Sequence, residues 1–145
     1  MITILKKDLD RVAKFLVGIE LSGVENIHRM RIVNVLKKQH EEIVAEEVEL
    51  LKAHAEVDSK GELVRSEGGG FRLKDQESAT EFREQQEKLF EESFVIDNPN
   101  YKQALETLEG IIMNLDQKLS NEDAEIHFLV VEAFEQAKEE KGDDE

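Results

Sequence analysis

The stretch HRMRIVNVLKKQHEEIVAEEVELL, from His28 to Leu51, decides the fold. Its apolar residues recur at steps of three and four, which is the spacing of one face of an α-helix. Just before it, Ser22 and Glu25 have the spacing of a helix-starting capping box. The pattern predicts one long helix over residues 22–56, about 50 Å long at about 1.5 Å per residue. Part of so long a helix is expected to project or to meet a second subunit.

The charges of this helix run against its dipole. Within the stretch from His28 to Leu51, the first half carries the basic residues and the second half carries five glutamates. The basic residues are Arg29, Arg31, Lys37 and Lys38. Helices favour acids near the N-terminus and bases near the C-terminus. We interpret the basic half as facing an acidic helix of this chain or of a second subunit. An antiparallel copy of the same helix would match base to acid on both sides, which predicts a homodimer through the long helix.

The rest of the chain predicts a mainly α fold with about five helices. Further helical patterns cover about residues 6–20, 75–92, 98–119 and 120–138, and Asn98-Pro99 is a typical helix start. The segments ITI (Ile2–Ile4) and SFVI (Ser93–Ile96) look like short strands. Glycines at 61 and 68–70 favour a small β-hairpin that pairs ELV (Glu62–Val64) with FRL (Phe71–Leu73).

Helical spacing also predicts which side chains point inward. The apolar stripe of the long helix is expected to include Val24 and Ile27. On the last helix, Phe128, Val131 and Phe134 are expected to face the core.

With 145 residues, the chain is expected to form a single helical domain over residues 1–138, with the hairpin as an insertion at about 59–74. Residues 139–145 are expected to be a disordered acidic tail. The chain has no cysteine, no apolar run of membrane-spanning length and no signal-peptide pattern. These features favour the host cytoplasm and no membrane partner.

The net charge of −15 is concentrated in the second part of the chain. Residues 1–60 hold 10 basic and 11 acidic residues, whereas residues 61–145 hold 9 basic and 23 acidic ones. So negative a surface repels nucleic acid and anionic membranes and suits basic partners. The basic half-helix also lacks interleaved aromatic residues. Direct nucleic-acid binding is therefore not expected.

Acidic residues follow one face of the third predicted helix at steps of three or four: Glu77, Glu81, Glu84, Glu87 and Glu91. Neighbours at that spacing lie about 5–6 Å apart, so the row resembles the phosphates of a nucleic-acid strand. A second row, on the last helix, consists of Glu122, Glu125, Glu132, Glu135 and Glu139. The alternative interpretation is the solvated face of an amphipathic helix, because glutamate is also a good helix former.

Motifs for catalysis or metal binding are absent from the sequence. There is no cysteine, no Gly-x-Ser-x-Gly nucleophile turn and no His-Glu-x-x-His pattern. Glu25-x-x-His28 occurs once, whereas a di-iron bundle needs two such pairs. We interpret these two residues as a capping glutamate and a histidine on the polar face. No enzyme activity, metal or cofactor is expected.

Five segments together resemble a family of small acidic proteins encoded by phages and prophages of Gram-positive bacteria, often near tail and lysis genes. They are FLVGIELSGVENIHRMRIVNVL (Phe15–Leu36), ELLKAHAEVDSKGEL (Glu49–Leu63), FRLKD (Phe71–Asp75), LFEESFVIDNPNYKQAL (Leu89–Leu105) and LDQKLSNEDAEIHFL (Leu115–Leu129). The glycine triplet and Asn121, where the family more often has glycine, depart from its pattern. The resemblance implies a phage accessory protein and transfers no catalytic residue.

Two functions follow as expectations. The first is a non-enzymatic accessory protein that binds another protein, such as a phage tail component, in virion assembly or host takeover. The second is an acidic nucleic-acid mimic that occupies a basic nucleic-acid-binding protein of the host, as anti-CRISPR or anti-restriction inhibitors do. The partner-binding residues would be the acidic row at 77–91 together with Arg29, Arg31, Lys37 and Lys38.

Overall fold

The structure, a computed structural model, describes residues 1–66, 68 and 70–143, and the side chains of residues 1–66, 68 and 70–140. Contacts group the chain into two compact units, which we describe separately. The first comprises Met1–His40 and Ser93–Glu145, and the second comprises Glu41–Glu92. The second unit is thus broader than the predicted insertion at 59–74, because the end of the long helix and the whole third helix belong to it.

The described residues form five α-helices and two regular strands, which confirms the predicted mainly α fold with one long helix. In chain order they are β1 (Ile2–Leu5), α1 (Leu9–Val17), α2 (Gly23–His54), α3 (Gln76–Phe90), β2 (Ser93–Ile96), α4 (Lys102–Met113) and α5 (Asn121–Asp143). Short 3₁₀ turns, Lys6–Asp8 and Pro99–Tyr101, lead into α1 and α4. None of these described helices is long and apolar enough to cross a membrane.

A small sheet and four helical segments surround the core of the first unit. The two strand-like segments of the sequence pair with each other: β1 is antiparallel to β2, with Ile2 opposite Ile96. Alternation along β1 turns Ile2 and Ile4 inward. Helix α5 packs against β1, α1 and α4. The largest fully buried side chains of this core are Leu9, Leu16, Ile32, Leu36, Leu108, Ile112 and Ile126.

In the first unit, three apolar side chains that the sequence places inward are exposed. On α2, Val24 is 63% and Ile27 is 51% exposed, and on α5 Phe128 is 62% exposed. The core-facing positions of α5 are Ile126, Val130, Ala133 and Phe134. Phe128 lies two residues from Ile126, about 200° around a helix with 3.6 residues per turn. It is apolar, but its position in the helical period places it on the outer face.

Two helix ends differ from the predictions. Helix α4 ends at Met113, and the side-chain amide of Asn114 donates a 2.8 Å hydrogen bond to the carbonyl of Gly110 in the last turn. Leu115 and Leu119 therefore pack on the core from a loop. Helix α5 continues past Lys138 to Asp143. The predicted disorder of Asp144 and Glu145 falls outside the described residues.

Helix starts follow the local sequence. The side chain of Asn98 accepts a 2.9 Å hydrogen bond from the backbone N–H of Asn100, with Pro99 next to it, as predicted. Helices α2 and α5 begin at Gly23 and Asn121, whose φ angles are +61° and +50°. Only glycine and, less often, asparagine adopt this left-handed conformation readily. Both helices therefore begin at residue types that tolerate this backbone conformation.

In the second unit, the predicted hairpin is confirmed and gains a third segment. Arg65 forms an antiparallel bridge with Phe71, and its guanidinium lies 4.9 Å from the centre of the Phe71 ring. The chain after α2 joins both arms. Backbone hydrogen bonds run from Glu56 to Arg72 (2.7 Å), from Arg72 to Val64 (2.9 Å) and from Val64 back to Glu56 (3.0 Å). Gly69 of the predicted turn lies outside the described residues.

Candidate functional site

The predicted acidic row lies on one helix and faces solvent. Four of its five members belong to α3, Glu91 is the residue at its C-cap, and all five side chains are exposed. Helix α3 buries no side chain of its own. Within the second unit, the imidazole of His54 lies 3.5 Å from the carboxylate of Glu81. The row is therefore accessible, with one member in contact with a histidine.

Asp75 begins this helix. Its carboxylate accepts a 2.7 Å hydrogen bond from the backbone N–H of Ser78. This bond holds the pKa of Asp75 below its ordinary value of 3.8. A carboxylate whose pKa is lowered in the folded state stabilises that state above its unfolded pKa, and the contribution is lost as pH falls through the folded pKa.

Substitution of Asp75 by asparagine tests this cap, because asparagine caps helices without titrating in acid. We expect the wild type to have the higher thermal midpoint at neutral pH, and this advantage over Asp75→Asn to disappear as pH falls from about 5 to about 2. Melting curves of both proteins by circular dichroism give the difference. A difference that stays constant across this range would show that the carboxylate of Asp75 does not cap α3.

The four predicted basic residues do not act as a set, because Arg29 is buried. The guanidinium of Arg29 donates hydrogen bonds of 2.7 Å to the carbonyl of Leu16 and 2.6 Å to that of Ile19, and one of 2.6 Å to Asn26 Oδ1. These carbonyls lie at and just beyond the end of α1, where a helix dipole favours positive charge. Arg29 therefore stabilises α1, and its predicted contact with a partner is corrected to a structural role.

The other three basic residues remain exposed on α2: Arg31, Lys37 and Lys38. His28, which the sequence places on the polar face, is also buried, and a 2.7 Å hydrogen bond joins its Nδ1 to Oγ1 of Thr107 on α4. The side chains of Arg29 and His28 thus tie the beginning of α2 to α1 and α4. The basic surface of α2 is reduced to the three residues that point outward.

Next to the His28–Thr107 contact, the first unit has an open groove of about 770 Å³. One wall is the loop between α1 and α2 with the first turn of α2; the other is α4 and the loop that follows it. The lining residues are Gly18, Ile19, Glu20, Leu21, Glu25, Thr107, Gly110, Ile111, Asn114, Leu115, Asp116 and Gln117. The early end of α4 creates this groove, because the loop at 114–117 forms part of its wall.

The groove combines an apolar surface with carboxylates. Its apolar side chains belong to Ile19, Leu21, Ile111 and Leu115, which also pack on the core. Its charged residues are Glu20, Glu25 and Asp116, all exposed, and no lysine or arginine lines it. Such a surface can bury apolar side chains and accept hydrogen bonds from cations.

Gly110 leaves space inside the groove. Apart from its chain neighbours and the backbone of its own helix, a Cβ atom built on Gly110 meets no atom within 4 Å. Because Gly110 is exposed and lines the groove, a side chain at this position would extend into open space there. Since glycine is a poor helix former, replacing it also favours the helix. Gly110 is thus a position at which a substitution can fill the groove.

Among the described residues, no group of three or more histidine, aspartate or glutamate side chains is placed to share a metal ion. The interactions that the lining side chains of the groove can offer are apolar contact and attraction to positive charge.

The groove is not evident from the sequence. Its walls come from segments about 90 residues apart, and the residues of the loop at 114–117 continue the spacing that predicts a helix. The available signals were Gly18 and Gly23, which bracket the first wall. No protein-family model, curated protein or solved structure matches the chain.

Proposed function

We propose that this chain is a non-enzymatic protein that binds another protein, and that the groove receives a basic, amphipathic segment of that partner. One observation carries the proposal: the groove has an apolar surface, and every charged residue that lines it is acidic. Apolar contact supplies affinity, while opposite charge on the rim supplies specificity. A segment with leucine-like residues on one face and lysine or arginine beside them matches this arrangement.

The resemblance to phage-encoded proteins extends the proposal. It suggests an accessory role in the host cytoplasm, either in virion assembly with a tail component as the partner or in host takeover with a host protein as the partner. The protein would act by occupying its partner, without a cofactor.

The test compares tagged wild type with two variants of the groove. Gly110→Phe fills it, and Gly110→Ala restores helix propensity while leaving most of it open. Each is used to capture proteins from a lysate of a Gram-positive host, with and without phage infection. We expect a protein that wild type and Gly110→Ala retain and that Gly110→Phe retains at least about tenfold less, equal to about 1.4 kcal/mol. Equal capture by all three would refute the groove as the binding site.

A second candidate, the nucleic-acid mimic, is favoured by the exposed acidic row of α3. The row from Glu77 to Glu91 covers about 21 Å at about 1.5 Å per residue, with all five carboxylates in solvent. The partner would be a basic nucleic-acid-binding protein of the host, such as a defence nuclease of the kind that anti-CRISPR or anti-restriction proteins inhibit.

Salt and charge reversal separate the two candidates. A mimic binds mainly through exposed charges, so its partner should be released steeply as ionic strength rises. It should also lose its partner when Glu84, Glu87 and Glu91 are changed to lysine, and keep it in Gly110→Phe. A groove-bound partner should be released less steeply by salt, because apolar contact also holds it. It should be kept by the triple reversal and lost in Gly110→Phe. Capture of a nuclease that the triple reversal leaves unchanged would refute mimicry.

A further inference from the structure

Beyond the groove, the first unit has an exposed face on α2 that mixes apolar and basic side chains. Its residues follow one another at steps of three and four: Val24, Ile27, Arg31, Asn34 and Lys38. All five are exposed, including the two apolar residues at its beginning. We call these five residues the α2 face. Exposed apolar side chains grouped with unpaired charges are typical of interaction surfaces.

Helix α5 has an exposed face with the opposite charge. It consists of Glu125, Phe128, Glu132, Glu135 and Glu139, again at steps of three and four. We call these residues the α5 face. Phe128 is its single aromatic residue and its most apolar point. A large exposed aromatic side chain in a charged row is the kind of residue that anchors protein interfaces.

The charges of the two faces are largely free within the chain. In the part of the chain that the structure describes, no ion pair involves Arg31, Lys38, Glu132 or Glu139. At the beginning of the α5 face, Arg11 lies 3.9 Å from the carboxylate of Glu125. The remaining charges are available to a second molecule.

The two faces also match in order. The α2 face has intervals of three, four, three and four residues, and the α5 face has the same intervals in the same direction. Parallel alignment places Phe128 opposite Ile27, Glu132 opposite Arg31, and Glu139 opposite Lys38. Antiparallel alignment would also place Arg31 and Lys38 opposite glutamates, but it would place Phe128 opposite Asn34 and Ile27 opposite Glu135. The charges are therefore matched in both registers, and the apolar pair of Phe128 with Ile27 favours the parallel one.

We propose that two copies of this chain associate through these faces, with the α5 face of one copy packed parallel to the α2 face of the other. Each copy carries both faces, so a two-fold arrangement, in which both copies make the same pair of contacts, would close a dimer. The contact differs from the antiparallel pairing of long helices that the sequence suggests. It uses neither the groove nor Arg29, so it does not depend on the proposed function.

Charge reversal with exchange tests this contact. One variant, Arg31→Glu with Lys38→Glu, has two acidic faces; the other, Glu132→Lys with Glu139→Lys, has two basic faces. Masses are measured by sedimentation equilibrium at up to about 200 μM chain, so that even weak association is populated. We expect a wild-type dimer, at least a tenfold weaker association of each variant alone, and recovery of the dimer when the variants are mixed in equal amounts.

The control is Lys102→Glu, at an exposed position of α4 outside both faces, which should dimerise like wild type. A monomeric wild type at the highest concentration would overturn the proposal. So would variants that associate as strongly as wild type, or a mixture that stays monomeric. Recovery of the dimer in the mixture would show that both variants are folded, because the acidic faces of one variant must then pack against the basic faces of the other.

Discussion

Replacement of Arg29 by methionine is expected to lower the free energy of unfolding by about 3 kcal/mol. The side chain of Arg29 is 6% exposed, and its guanidinium donates to the carbonyls of Leu16 and Ile19 and to Asn26. Methionine retains the apolar stem but removes every donor. The carbonyl of Ile19 would then lose the hydrogen bond from Arg29, and that of Leu16 would keep only the 3.3 Å bond from the backbone N–H of Ile19. The positive charge at that helix end would be lost as well.

The matched control is Lys37→Met, eight residues further along α2, whose side chain is exposed and lies outside the α2 face. It should change the free energy of unfolding by less than about 0.5 kcal/mol. Urea unfolding can follow the first unit alone, because the chain has one tyrosine, Tyr101 in that unit, and no tryptophan. Equal effects of the two substitutions on the tyrosine fluorescence transition would show that the guanidinium of Arg29 is not buried.

Replacement of Leu108 by alanine is the second substitution with a large expected effect, also about 3 kcal/mol. Leu108 lies on α4, is 1% exposed and belongs to the core cluster of the first unit. Its truncation removes apolar contact and leaves a cavity that the surrounding helices and the sheet fill only in part. Because α4 forms one wall of the groove, this substitution also tests how much the packing of Leu108 stabilises that wall.

Met113 on the same helix serves as the control, since it is 39% exposed. Met113→Ala should cost less than about 1 kcal/mol. Urea midpoints from tyrosine fluorescence compare the two proteins under equal conditions. If Leu108→Ala is no less stable than Met113→Ala, the inner face of α4 is assigned wrongly.

Local sequence signals were sufficient for most of the secondary structure. The long helix, the start at Asn98-Pro99, both short strands and the hairpin around residues 62–73 all follow from periodicity, capping residues and glycines. These features depend on neighbours along the chain. The partner of each strand was not predicted, because β1 and β2 are about 90 residues apart.

Burial of polar residues could not be predicted in the same way. His28 is buried because its partner, Thr107, lies 79 residues away, and no local pattern brings them together. Arg29 belongs to the basic half of a helix whose charges oppose its own dipole. In the folded protein, that charge lies at the end of α1, where the dipole favours it. The positive charge of Arg29 is thus unfavourable for the dipole of α2 but favourable for that of α1.

The groove could not be predicted because it depends on segments far apart in the chain and on polar residues whose position the local pattern does not give. Its apolar residues follow ordinary core spacing, and its glutamates resemble the many others of an acidic chain. Only the end of α4 at Met113 and the path of the loop at 114–117 bring Asp116 to the side opposite Glu20 and Glu25. The exposed acidic row at 77–91 is therefore predictable from the sequence, whereas the concave surface is not.

Titration with a synthetic peptide tests the central claim that the groove binds a basic amphipathic segment. The probe is a helical peptide of leucine and lysine, and its counterpart has glutamate in place of lysine. We expect the basic peptide to shift the amide resonances of Gly110, Ile111 and Leu115, and the acidic peptide to shift none. Gly110→Phe, with unchanged net charge, should bind the basic peptide at least about tenfold more weakly. Equal affinity for wild type and Gly110→Phe, with shifts away from residues 107–117, would contradict the account.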